Sequence, residues 1–135
     1  MPYVSQLYFK TAIMFLIVGI GVGLQMGISG NHNVIGAHAH INLLGWVTSA
    51  LFGVYYTLNP AKAQQWIAKL QYGVYVVGVA FLVISLYFML LGNAYFELLV
   101  VISSLVVFAG VILFAVIVYS NNPAREAKPD TTLAY

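Results

Sequence analysis

The 135-residue chain is 62% hydrophobic and only 6% charged, with a mean hydropathy of +0.95, more apolar surface than a water-soluble fold can hide. Five Lys and Arg against three Asp and Glu give a formal charge of +2, too few and too scattered for a nucleic-acid patch or a polybasic lipid-binding cluster. The absence of cysteine excludes disulfides, thiolate metal sites and cysteine nucleophiles, leaving any metal chemistry to His, Met, Tyr, Asp or Glu.

Crossing a bilayer takes about 20 mostly apolar residues in helical form, and four stretches qualify, roughly 9–29, 35–58, 64–91 and 94–119. They predict an all-α integral membrane protein, a four-helix transmembrane domain over 1–119 followed by a polar cytoplasmic tail over 120–135. The first stretch runs too far past Lys10 for a secretory signal and ends in Gly27-Ile28-Ser29-Gly30 without an Ala-x-Ala site, so it is read as a retained helix. Its Gly19, Gly23 and Gly27 recur at four-residue spacing, a small-residue row that marks close helix contact, within the chain in preference to between copies. The breaks that follow are Gly30-Asn31-His32-Asn33, Asn59-Pro60 and Gly92-Asn93, all residues suited to turns and helix ends. No internal repeat or low-complexity segment is evident.

Lys10 precedes the first helix, Lys62 and Lys69 lie at the second connection, and Arg125 and Lys128 lie in the tail, while the other two connections carry neither Lys nor Arg. The positive-inside rule then predicts both termini cytoplasmic and puts His32, His38 and His40, the only histidines, at the outer surface with Glu97.

The informative stretch is the second helix. Ionisable residues inside a membrane helix are costly and face a bundle interior, a cavity or a ligand. At 100° per residue, His38 shares a face with Asn42, Gly45, Ser49, Gly53 and Tyr56, a small and polar stripe expected to turn inward. His40 falls about 200° away, alongside Leu44, Val47, Leu51 and Tyr55, so one helix cannot aim both imidazoles at one metal. Neutral imidazoles in an apolar setting suit heme iron or copper better than a hard cation, and Trp46, Phe52, Phe81 and Phe88 are flat surfaces that could cover a porphyrin. The alternative is that these histidines and Trp46 are interfacial polar groups and belt anchors, and spacing leaves both readings open. Glu97, at a helix start, reads as capping electrostatics in preference to a proton relay. Tyr72, Tyr75, Tyr87 and Tyr95, and Met14, Met26 and Met89, read as packing or belt residues in preference to relay sites or copper ligands.

The run His38-Ala39-His40-Ile41-Asn42-Leu43-Leu44-Gly45-Trp46-Val47 resembles the second helix of the catalytic subunit of heme-copper oxidases and nitric oxide reductases. The resemblance covers about 20 of the 135 residues. It implies a b-type heme in a bacterial inner (cytoplasmic) membrane, an axial iron ligand at His38 or His40, and Asn42, Gly45 and Trp46 beside the cofactor. The Ala-His-Ala context and the inward stripe point to His38, and the His-Ile-Asn-Leu-Leu run points to His40. That superfamily draws its remaining heme and copper ligands from later helices, which here contain no histidine, so one chain cannot build an oxygen-reducing centre. The superfamily's twelve helices look like three arcs of four, and this chain is one arc long. The expectation is therefore a homo-oligomer, a trimer in the closest analogy, that holds heme for electron transfer or for binding oxygen or nitric oxide, with a respiratory-chain partner. The competing expectations are a copper-handling assembly factor using His32, His38 and His40, and an accessory subunit without a cofactor.

Overall fold

The computed structural model describes residues 1–121, and the described part is helical with no strand. Most of the polar tail expected over 120–135 lies outside the described residues. Four helices are long and apolar enough to cross a membrane: α1 (Tyr3–Ser29), α2 (Ile35–Leu58), α3 (Trp66–Leu90) and α4 (Ala94–Tyr119). A single turn, Pro60–Ala63, joins α2 to α3.

The expected boundaries hold for α2 and α4 and to within two residues for α3. Helix α1 begins six residues earlier than hydropathy suggests, because the helix extends beyond the apolar stretch to Tyr3, directly after Pro2. The glycines at the breaks do what glycine allows. Gly30 ends α1 at φ 68° and Gly92 follows α3 at φ 103°, both left-handed conformations.

Helices α1 and α2 pack along their length, as do α3 and α4, while α1 and α4 lie at the two flanks. The α3–α4 seam is a backbone contact. A Cβ on Gly78 would stand 2.9 Å from the Val107 nitrogen, and one on Gly110 would stand 2.9 Å from the Tyr75 Cα. Lipid supplies no hydrophobic force between helices, so such close packing and polar contacts must hold the bundle together.

Those polar contacts converge on Gln71 of α3, which is fully buried. Its Oε1 accepts from the Tyr8 hydroxyl of α1 at 2.6 Å and from the Tyr56 hydroxyl of α2 at 3.1 Å, and its Nε2 donates to the Gly110 carbonyl of α4 at 3.3 Å. One side chain thereby ties all four helices. Lys62 makes a second tie. It is buried, and its ammonium donates to the carbonyls of Ile117 and Val118 at 2.8 and 2.9 Å, neutralising the negative end of α4.

Gln71→Leu leaves two tyrosine hydroxyls without their acceptor, and we expect it to destabilise the bundle by about 1–3 kcal/mol. Tyr56→Phe, which removes one bond at 3.1 Å and leaves those to Tyr8 and Gly110, should lose less. Reversible unfolding in mixed micelles checks the order; equal stability of Gln71→Leu and the parent chain would refute it.

Candidate functional site

Helix α2 is not uniform. Ile35–His40 is α-helical, Ile41–Thr48 winds as a π-helix, and Ser49–Leu58 returns to α. A π segment replaces i+4→i backbone bonds with wider i+5→i ones, and in a membrane added donors to its carbonyls must come from the protein. Side chains provide them. The Thr48 hydroxyl donates to the Leu43 carbonyl at 2.7 Å, and the Tyr75 hydroxyl of α3 donates to the Leu44 carbonyl at 2.9 Å. The π segment begins directly after His40, so the histidine pair sits on its amino-terminal shoulder.

The inward stripe is where the sequence places it. His38 and Asn42 are half-buried against α1, and Gly45, Ser49, Gly53 and Tyr56 are buried. The glycine row of α1 receives them, since a Cβ on Gly19 would meet the Asn42 amide and one on Gly23 would lie 3.0 Å from His38 Cε1. Gly21 and Gly27 face open space. The row is thus used within the chain at two of its three positions. Gly45 in turn sits on Phe15, whose Cγ would lie 2.5 Å from an added Cβ.

On the other face His40, Val47 and Leu51 are exposed, as expected. Leu44 and Tyr55, expected beside them, are half-buried, because the wider turn of the π segment rotates these residues relative to a uniform α period. Trp46 is 38% exposed on this outer surface. Phe52 is not available as a wall for a bound group: it lies in the core between Tyr75 and Phe114, with ring centroids 5.0 and 4.0 Å away. Phe81 and Phe88 are exposed on α3.

Each imidazole is anchored through the same nitrogen. His38 Nδ1 lies 2.9 Å from the Gly19 carbonyl oxygen, His40 Nδ1 lies 2.8 Å from that of Gly36, and His32 Nδ1 lies 3.3 Å from that of Gly30. A carbonyl only accepts, so each Nδ1 carries a proton and donates it. In the neutral ring, Nε2 then keeps its lone pair, the arrangement in which histidine ligates a metal while its other nitrogen is held by a backbone carbonyl.

The three histidines are nevertheless not a chelate. Among the described residues no three His, Cys, Asp or Glu side chains come together as a metal-ion group. His32 is exposed in the connection before α2, and Glu97 is exposed at the start of α4. Of the tyrosines, Tyr72 bonds Thr11 at 2.7 Å, Tyr87 bonds Gln25 at 3.0 Å, and Tyr95 is almost fully exposed. Met26 is buried, and Met14 lines a cavity between α1 and α3.

Two features escaped sequence reasoning. Gln71 carried a usable signal, a lone amide inside an apolar span. The π segment carried none, since its residues are ordinary helix formers on either period.

These features define a multi-pass helical membrane protein with an anchored pair of histidines at one end of its second helix. No family model, curated protein or solved structure matches the chain.

Gly45→Ala must push Phe15 and α1 away from α2, and we expect a loss of about 1–3 kcal/mol. Gly27→Ala, with open space around it, should leave stability unchanged. Paired thermal unfolding of the two variants in one detergent distinguishes them, and equal midpoints would contradict the seam described here.

Proposed function

We propose that the chain is a heme-binding protein of a bacterial inner membrane, with its termini and lysines on the cytoplasmic side and a b-type heme held near the opposite surface by His40. The observation that carries this reading is the state of His40. Its ring is exposed on a helix long and apolar enough to cross a membrane, its Nδ1–H is tied to Gly36, and its Nε2 has no hydrogen-bond partner among the described residues. An unpartnered imidazole facing hydrocarbon is costly, and an iron ligand bond removes that cost. The resemblance of residues 38–47 to the oxidase and reductase helix supports the same assignment.

Heme is favoured over copper by the ligand count. A porphyrin would bring four nitrogens of its own and so would ask only His40 of this chain, whereas a copper site made by the protein alone needs several side chains together. Among the described residues no three His, Cys, Asp or Glu side chains come together. His38 differs from His40 in being packed over Gly23 with its ring between two helices, and its role here is to seat α2 on α1. Leu43, Val47 and Leu51, exposed beside His40, offer an apolar surface for one face of a flat ring. A second copy of the chain covers the other face. Bound heme would supply one-electron chemistry or diatomic gas binding.

His40→Ala should abolish the reduced b-type bands of detergent-purified protein, whereas His38→Ala should retain them while lowering the unfolding midpoint. Oxidised and dithionite-reduced spectra, a pyridine hemochrome assay and copper analysis on one sample check this. A featureless spectrum from folded, heme-supplemented protein, or an unchanged spectrum in the double variant, would overturn the reading.

A further inference from the structure

Helices α1 and α3 are pinned together at two points and separate between them. Thr11 Oγ1 and the Tyr72 hydroxyl meet at 2.7 Å near one end, and the Tyr87 hydroxyl donates to Gln25 Oε1 at 3.0 Å near the other. Between the pins lie two cavities of about 400 and 220 Å³ that share Val18, Val83 and Ile84 and so form one groove. Its walls are apolar apart from Lys10 and Thr11 at one end and Tyr87 at the other, and the Thr11 and Tyr87 hydroxyls are already engaged with Tyr72 and Gln25.

We propose that this groove binds an anionic phospholipid, with one acyl chain in the larger cavity and the head group at Lys10. A gap with these walls inside the hydrocarbon layer does not hold water, and left empty it forfeits the contacts of its lining. The larger cavity runs along α1 from Lys10 to Val18, about 12 Å of helix, which approaches the hydrocarbon depth of one leaflet and suits a lipid that stays in its own leaflet. The sign of the head group follows from charge. Lys10 is exposed at the mouth, and the one acid among the described residues, Glu97, stands at the start of α4, three connections away along the chain. Ala80, the smallest residue of the wall, keeps the cavity open from the α3 side. This site is independent of the histidines, none of which lines either cavity.

The test is native mass spectrometry of the full chain released from nanodiscs of equal phosphatidylglycerol and phosphatidylcholine, with circular dichroism to verify folding. The expected result is one retained lipid per chain, with phosphatidylglycerol preferred by about fivefold, the scale of one lysine near an anionic head group. Lys10→Gln should remove the preference while one lipid is still retained, and Ala80→Phe should remove the retained lipid. Equal retention of both lipids by the parent chain, a preference that survives Lys10→Gln, or lipid-free dimers as the dominant species would overturn the proposal.

Discussion

The Gln71 amide is the constraint on which the rest of the bundle depends. Packing apolar helices against one another in lipid gains little over packing them against lipid, so a unique arrangement needs contacts that only one arrangement satisfies. Gln71 supplies an oxygen whose two lone pairs match the two tyrosine hydroxyls that reach it, and an N–H that finds Gly110 on the fourth helix. Sliding or rotating any one helix breaks a bond that hydrocarbon cannot replace. Among the described residues no buried side-chain nitrogen or oxygen is left without a partner, so this register carries no uncompensated polar group.

Position along the chain then follows from close approach. Gly110 lacks a Cβ, which lets the Tyr75 backbone settle on it and brings the Gly110 carbonyl within reach of Gln71. Tyr75, fixed by that contact, extends its hydroxyl across to the Leu44 carbonyl in the π segment of α2. A carbonyl of the segment thus accepts a bond from a helix whose own place is set by α4. The chain of contacts runs from a glycine on the fourth helix to the turn beside His40, and the orientation of the histidine end is a consequence of packing far from it.

The spans were legible because hydropathy over 20 residues reports the solvent, and the bilayer is the solvent that matters most here. The inward face of α2 was legible because Asn42, Gly45, Ser49 and Gly53 are small or polar at helical spacing, and a groove over Gly19 and Gly23 is what such residues fit. Lys62 was legible only as a charge near the second connection. Its burial depends on the end of α4, 55 residues away, arriving with two carbonyls exposed, which local pattern does not contain. The π segment and the convergence on Gln71 are tertiary in the same sense: each is defined by a partner on another helix. The face of His40 was legible, and the half-burial of Leu44 was not, because a uniform period assumes the very geometry that the π segment breaks.

His38 and His40 share an anchoring scheme and differ in what the fold asks of them. His38 fills a groove, bonds the Gly19 carbonyl and is accounted for by the α1–α2 seam alone. His40 bonds the carbonyl one turn before it on its own helix, contributes nothing across the bundle, and leaves its ring on the outer surface. Folding therefore explains the first histidine and leaves the second as a cost. A group that binds at Nε2 offsets that cost, and a single chain offers it only one such exposed nitrogen on α2. If heme is the group, as proposed above, the other side of its iron would be met by a second copy or left open. Two imidazoles would favour electron transfer, and an open side would favour a diatomic gas. On the heme reading proposed above, the chemistry of the site would be decided by how copies of the chain meet at the His40 face.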